Sequence, residues 1–457
     1  MSLWRDYAPE LVTDLYEFTM AASYLKEGMS GEATFSLFVR EYPENRAYFV
    51  SAGLEQLIDT ICALRFSEES INYLSSLHKF AQEFLEALRR YRFTGTIRAI
   101  PEGRIFFCQE PLLEVTAPIF EAQIIETLAM NVLQTETLLT SKAARCIQAA
   151  RGKPLVDFGL RRTQGVDAGV KAARAGYLVG FAGTSNLLAG KLYDIPVFGT
   201  MAHSYVTSFP HEMDSFLAFV RAFPENTVLL IDTYDTLRGA EKALEVARIL
   251  EAEGRRLMAV RLDSGDLCSL SKEVRRIFRK GGYPGIQIMA SGSLDEYRIE
   301  QLLAGGAEID SFAVGTRVVV SADAPYLDMA YKLTEYDGRP ILKLSRGKTT
   351  WVGRKQAYRR YDAGGRMIED VLGTAGADRE EGEPLLEEVM KGGERVRPPE
   401  TLREIRARFA REWETLPLPC RKTVAPKLYP VQIAPALARL QEETVRMRLR
   451  EEVGQNS

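Results

Sequence analysis

From residue 155 to residue 316, short apolar runs alternate with segments of helical spacing, and this rhythm organises the chain. The runs are Leu155-Val-Asp-Phe158, Tyr177-Leu-Val-Gly-Phe181, Pro196-Val-Phe198, Thr227-Val-Leu-Leu-Ile231, Leu257-Met-Ala-Val-Arg-Leu262, Ile286-Gln-Ile-Met-Ala290 and Phe312-Ala-Val314. Helical segments such as 236–252 and 267–280 separate most of them. Parallel strands need a helix-length crossover, so about seven such repeats predict a parallel sheet. The count suits an irregular (β/α) barrel of about seven strand–helix units, although periodicity alone leaves a doubly wound sheet open.

The flanking regions read differently. Upstream, 8–29 reads as a turn and then a helix, with Thr13 as a cap and Leu15, Phe18, Ala22 and Leu25 on one face. Residues 32–40 alternate around Phe35 and Leu37 as a strand does. Helices are predicted within 52–91, around 54–61, 71–77 and 80–88, strands at 95–100 and 104–115, and one long helix over 119–150. Beyond about residue 335, 341–344, 349–352 and 358–367 read as antiparallel strands, the last with an Ala-Gly-Gly turn. Residues 376–398, charged and rich in Gly and Pro, read as a surface excursion, and amphipathic helices are predicted near 400–413 and 435–451. The expected domains are an α+β unit over 1–120, a catalytic α/β barrel over 121–335, and a region 336–457 packing back on the first.

Composition narrows the function classes. At 457 residues the chain exceeds one hydrophobic core. Its 46% hydrophobic and 26% charged residues are those of an ordinary globular protein. A formal charge of −3 gives no general attraction to nucleic acid or anionic membrane. No run approaches the ~18 apolar residues of a membrane span, and the start lacks a secretory h-region. The five cysteines, at 62, 108, 146, 268 and 420, form no Cys-x-x-Cys pair. Scattered thiols of this kind point to a reducing, cytoplasmic setting rather than to zinc or disulfides.

The chemistry collects where the strands of the central section end. The loops there read Asp157-Phe-Gly-Leu-Arg-Arg162, Ala182-Gly-Thr-Ser-Asn186, Gly199-Thr-Met-Ala-His203, Asp232-Thr-Tyr-Asp235, Arg261-Leu-Asp-Ser-Gly-Asp266, Ala290-Ser-Gly-Ser293 and Gly315-Thr-Arg317. Parallel strands put those ends on one face, so the loops line one site. Glycine admits close backbone approach, and hydroxyls with free amides bind phosphate oxygens, which suits Ser291, Gly292, Ser293, Gly315 and Thr316. Arg161, Arg162 and Arg261 can hold oxyanions in bidentate fashion. Asp232, Asp235, Asp263 and Asp266 are candidates to hold Mg²⁺ through water beside a polyphosphate, with Asp266 equally readable as a helix N-cap. Phe158 can stack on a planar ring or fill core. His203 is one of only three histidines, and its plainer role is to fix a loop.

As an ordered set, Thr13-Asp-Leu-Tyr-Glu-Phe-Thr-Met20, Asp157-Phe-Gly-Leu-Arg161, Gly183-Thr-Ser-Asn186, Gly199-Thr-Met-Ala-His-Ser204, Arg261-Leu-Asp-Ser-Gly-Asp266 and Val314-Gly-Thr316 resemble the nicotinate phosphoribosyltransferases. The resemblance spans about residues 10 to 335. It implies an irregular α/β barrel beside an α+β domain, and an ATP-assisted reaction of nicotinate with phosphoribosyl pyrophosphate that yields nicotinate mononucleotide. It further implies that ATP transiently phosphorylates His203, that Arg261 and Thr200 contact substrate, and that Gly292, Ser293, Gly315 and Thr316 hold the 5′-phosphate. Phe158 and Tyr16 would sandwich the pyridine ring, with Tyr16 donated across a homodimer. His203, Arg261 and Asp263 make up the expected catalytic set, Mg²⁺ the expected metal, and ATP the co-substrate. Some relatives carry a cysteine-rich metal knuckle near the C-terminus, which the single Cys420 of that region does not support.

Rival readings share parts of this pattern. The nicotinamide-using relatives carry an aspartate where Gly183-Thr-Ser185 ends in serine, and a carboxylate there would repel a substrate carboxylate. Ser185 therefore favours nicotinate, unless it only caps the helix that begins near Asn186. A quinolinate-using enzyme would need no ATP, and a non-catalytic sensor would need no phosphorylatable histidine.

Overall fold

Six parallel strands form the sheet of the unit Lys142–Pro325 in the computed structural model, which describes residues 8–225, 227–344, 350–376 and 380–454. In order across the sheet they are Gly183–Thr184, Leu155–Asp157, Ser311–Val314, Gln287–Ala290, Ala259–Leu262 and Val228–Leu230. Every pairing is parallel. The helices Val166–Leu178, Thr236–Ala252, Leu267–Gly281 and Glu296–Ala304 supply crossovers. Both faces are covered, so the strands are apolar nearly throughout, with Val260, Leu262, Ile288, Ala290, Phe312 and Val314 fully buried.

The strand order is that of a ring opened at one seam, which makes a half-barrel rather than the seven-unit barrel expected. Two of the expected strands account for the difference. Residues 177–181 lie at the end of the helix Val166–Leu178 and in the turn after it, where Gly180 has φ 121°. A short buried apolar run does not distinguish strand from helix end, and here Leu178, Val179 and Phe181 are buried by the helical route. The run 196–198 contributes only an isolated bridge, Val197 to Thr184. Val197 therefore stands at one edge of the opened ring and Val228–Leu230 at the other.

The second unit combines the chain up to Ser141 with the chain from Tyr326. Its largest sheet has seven strands: Arg339–Pro340, Met329–Tyr336, Glu32–Val39, Pro111–Pro118, Thr96–Ala99, Glu387–Lys391 and Glu394–Arg395, in that order. A four-stranded sheet contains the hairpin Lys355–Tyr361 with Met367–Thr374, flanked by Glu383–Pro384 and Val431–Ile433. One apolar core joins Phe35, Leu37, Leu113 and Val115 of the large sheet to Leu57, Ile58, Phe84 and Leu85 of the helices. Helix Leu402–Thr415 opens on a capping box of Thr401 and Glu404, and Pro435 takes the first turn of Pro435–Val453.

Several expectations change here. The excursion over 376–398 contributes three short strands, because Leu385, Leu386, Val389 and Met390 are buried against the core; residues 377–379 lie outside the described residues. Residues 341–344 and 350–352 form no strand, and Thr349 lies outside the described residues. The long helix divides into Ile119–Ile124 and Glu126–Ala150. The run 104–115 becomes two strands, Ile105–Phe106 and Pro111–Pro118, around a turn at Gln109 with φ 70°. Helix Leu15–Lys26 begins after Asp14, and the Thr13 hydroxyl donates to Glu17 rather than capping. Among the described residues no helix is long and apolar enough to cross a membrane, and all five cysteines are free.

Candidate active site

Loops at the C-terminal ends of five of the six strands, together with the loop that follows Val197, line a cleft of about 550 Å³ in the Lys142–Pro325 unit. Of the residues expected there, Phe158, Arg161, Arg162, Ser185, Thr200, His203, Arg261, Asp263, Ser291, Gly292, Ser293, Gly315 and Thr316 line it. The topology explains the convergence: Arg261 lies near the C-terminal end of its strand, and each of the others comes one to six residues after a strand or bridge of the same parallel sheet.

Arg261 is the penultimate residue of the strand Ala259–Leu262, and its Nη1 donates to Thr200 Oγ1 at 2.5 Å and to the Met201 carbonyl at 3.3 Å. Its Nη2 lies 3.7 Å from Asp263, and its buried Nε has no hydrogen-bond partner among the described residues. Burial pulls the guanidinium pKa below its ordinary value, against the pull of Asp263 and Asp232, yet an arginine remains a cation. Asp263 accepts from the Ser291 hydroxyl, and Asp232 accepts from the Asp263 amide at 2.9 Å and the Ser264 hydroxyl at 2.6 Å. His203 opens the short helix His203–Thr207. Its Nδ1 lies 3.1 Å from Thr233 Oγ1, and its Nε2 lies 3.8 Å from Asp263 Oδ2. The His203–Thr233 contact thus joins the loops that follow the two edges of the opened ring.

The turn Ser291–Ser293 is left-handed at two successive residues, Gly292 with φ 90° and Ser293 with φ 52°. A non-glycine residue in that region carries strain, and such strain collects at ligand sites. A side chain at Gly292 would place its Cβ 2.0 Å from the Asp263 carbonyl, so only glycine lets the two loops touch. Successive left-handed residues of this kind are the backbone form from which anion-binding concavities are built.

Across the cleft, Asp157 is the hidden organiser. Its buried carboxylate accepts from the Gly159 amide at 2.8 Å and the Thr184 hydroxyl at 2.7 Å, and its carbonyl accepts from the Ser185 amide. Burial raises its pKa, opposed by the Thr184 and Gly159 hydrogen bonds. One residue, through its carboxylate and its carbonyl, thereby ties the loop of Phe158 to that of Ser185. The cap of the helix Leu187–Tyr193 is Asn186, whose side chain accepts from the Ala189 amide at 3.1 Å. The Ser185 side chain is not that cap.

Other expected residues fall elsewhere. Asp235 caps Thr236–Ala252 and Asp266 caps Leu267–Gly281, so both expected metal ligands direct their oxygens to backbone amides. Neither these nor Asp232 lines the cleft, and among the described residues no group of three or more His, Cys, Asp or Glu gathers as a metal site. Tyr16 lies on Leu15–Lys26 in the other unit and is half-exposed; burial and the Glu126 carboxylate that accepts from its hydroxyl raise its pKa. Sequence reasoning assigned no role to Asp157, Thr184 or Thr233. Their only signal was position, at or just past strand ends.

Comparison with known proteins finds relatives over most of the chain. The profile of the nicotinate phosphoribosyltransferase N-terminal domain matches residues 11–134, that of the family matches 154–356, and that of the C-terminal domain matches 377–441. A nicotinate phosphoribosyltransferase of Mycobacterium tuberculosis, pncB2, is 49% identical over 395 residues, covering 86% of this chain and 84% of that protein. The chain belongs to the nicotinate phosphoribosyltransferase family. It is an enzyme of that family. The Bacillus subtilis nicotinate phosphoribosyltransferase is 38% identical over 364 residues, covering 78% of this chain and 74% of its own. The crystal structure of human nicotinic acid phosphoribosyltransferase superposes with a TM-score of 0.85 at 30% identity, covering 95% of this chain and all of that one.

Proposed function

We propose that this enzyme transfers the phosphoribosyl group of phosphoribosyl pyrophosphate to nicotinate, giving nicotinate mononucleotide and pyrophosphate, with ATP consumed through a transient phosphohistidine at His203. The observation that carries the reading is the meeting, in one cleft, of the left-handed Ser291–Ser293 turn with Arg261, Asp263 and His203. Displacement at C1 of the ribose needs positioning and charge stabilisation more than covalent help. Ser291, Gly292, Ser293, Gly315 and Thr316 hold the 5′-phosphate. Arg261, fixed by Thr200, binds oxyanion charge, and Arg161 and Arg162 at the exposed rim draw anions in.

Phe158 stacks on the pyridine ring while Ser185 donates to the nicotinate carboxylate. Asp263 suits a Mg²⁺ ion held through water, because its Oδ2 makes no hydrogen bond among the described residues and its side chain, 35% exposed, lines the cleft. Bound there, Mg²⁺ would neutralise the departing pyrophosphate. His203 Nε2 faces the same space, so phosphorylation would change the charge beside the substrate phosphates and couple ATP hydrolysis to binding. The same reading includes a cytoplasmic enzyme, consistent with five free cysteines, and a homodimer in which the partner subunit's Tyr16 covers the other face of the ring.

A mass-spectrometric product assay with nicotinate, nicotinamide and quinolinate, each with and without ATP, tests this directly. Nicotinate mononucleotide should form from nicotinate alone, faster with ATP. His203→Ala should keep slow transfer and lose the ATP stimulation. An undiminished ATP effect in that variant removes His203 from the mechanism.

A further inference from the structure

We infer that Thr233 is a positioning residue that selects the nucleophilic nitrogen of His203, accepting the Nδ1 proton so that the Nε2 lone pair is free for phosphorus. The inference rests on the reading that His203 receives a phosphoryl group from ATP. A neutral imidazole has one protonated and one unprotonated nitrogen, and the hydrogen bond at one decides the state of the other. Here the two nitrogens meet different surroundings. Nδ1 lies 3.1 Å from the Thr233 hydroxyl oxygen. Nε2 makes no hydrogen bond among the described residues; Asp263 Oδ2, at 3.8 Å, is beyond bonding range. The Nδ1 atom, facing Thr233, is blocked from an incoming phosphate. Nε2 is open to the cleft.

The chemistry requires the hydroxyl to act as acceptor. Attack by Nε2 on the γ-phosphorus forms the N–P bond and breaks the bond to the β,γ-bridging oxygen. The electron pair of that bond leaves with ADP. The ring becomes a phosphoimidazolium whose remaining proton sits on Nδ1, opposite Thr233. A hydroxyl that accepts the Nδ1 proton before attack also accepts it, more strongly, from the imidazolium afterwards.

Thr233 is well held for this task. It sits between the strand Val228–Leu230 and the helix Thr236–Ala252. Ile231 N donates to the Arg261 carbonyl at 3.2 Å, and Asp235 caps the helix through the Arg238 amide at 2.8 Å. A side chain at Gly239 would place its Cβ 2.1 Å from the Ile231 carbonyl, so the first helical turn lies directly on the strand end. The turn carrying Thr233 is therefore fastened on both sides.

The test uses the full-length enzyme labelled with ¹⁵N-histidine, in which three histidines give three separable rings, assigned with His78→Gln and His211→Gln. At a pH where the rings are neutral, His203 should show a protonated Nδ1 and an unprotonated Nε2. Thr233→Val, of nearly the same shape, should move the ring toward the Nε2–H tautomer. It should also cut the rate of ATP-dependent phosphorylation at Nε2 by at least about tenfold, a tautomer effect that an intact fold does not rescue. Thr233→Ser should restore both. A folded Thr233→Val enzyme that keeps the Nδ1–H tautomer and the wild-type rate of Nε2 phosphorylation overturns the inference. If the wild-type enzyme forms no phosphohistidine with ATP, the ATP-coupled reading fails, and the tautomer of His203 with and without the Thr233 hydroxyl still decides the inference.

Discussion

Ser185 shows how much one side chain decides when a neighbour has already taken the dull role. Asn186 caps the helix, so the Ser185 side chain is left beside the cleft. An aspartate there would meet a nicotinate carboxylate, and two like charges about 4 Å apart at an effective dielectric near 20 repel by roughly 4 kcal/mol. Ser185→Asp should therefore cut kcat/KM for nicotinate by at least about tenfold after solvent screening, with phosphoribosyl pyrophosphate binding nearly intact. Unchanged nicotinate kinetics in a folded variant would remove Ser185 from selectivity. Glu17 is a second informative residue. It is fully buried, bonded to Thr13 and Thr127, and burial pushes its pKa from 4.5 to about 7. Because the folded value is the higher one, the neutral acid's contribution is complete at low pH and is lost as pH rises through about 7, at most about 3 kcal/mol. Glu17→Gln should consequently raise Tm at about pH 8.5 and change it little at about pH 5. A gain equal at both pH values would contradict this origin.

At the scale of elements, the site depends on loops that approach one another more closely than side chains allow. Gly292 is the strictest case, with φ 90° and the Asp263 carbonyl where a Cβ would sit. Gly292→Ala must push the Ser291–Ser293 turn away from Asp263, breaking the Ser291 hydrogen bond and displacing the proposed phosphate site with it. We expect KM for phosphoribosyl pyrophosphate to rise by about tenfold or more, with a lower Tm, since misplacements near 1 Å carry such costs. Isothermal titration with phosphoribosyl pyrophosphate checks it, and wild-type affinity would show the turn to be dispensable. The acidic loop residues make the opposite point. Asp235 and Asp266 have the composition of metal ligands, yet each sits one residue before a helix, where a carboxylate satisfies free amides.

For the whole molecule, the proposed homodimer is testable without a structure of it. Tyr16 belongs to the unit built from the chain ends and Arg261 to the Lys142–Pro325 unit. If subunits share sites, Tyr16→Ala and Arg261→Ala, each inactive alone, complement when mixed, because a hybrid dimer then holds one intact site. Activity should reappear with the kinetics of subunit exchange. No recovery after exchange verified by mass spectrometry would show that Tyr16 does not act in trans.

Alternation of apolar and helical segments was enough to read a parallel α/β sheet, because parallel crossovers demand that spacing whatever the residues. The chemistry at the strand ends was legible for the same reason, since parallel strands carry their loops to one face, and twelve of the expected residues beside Arg162 line one cleft. What the sequence could not decide was anything that depends on a partner distant along the chain. The apolar run 177–181 reads equally as strand or helix end, and only the packing of Val166–Leu178 resolves it. The charged stretch 376–398 looks like surface until Leu385 and Met390 join the core and Glu387–Lys391 pairs with Thr96–Ala99, a strand far earlier in the chain. Asp157, Thr184 and Thr233 are ordinary strand-end residues in the sequence. Tertiary structure alone gives them work, because a hydrogen bond depends on ångströms between atoms, and sequence separation says nothing of those.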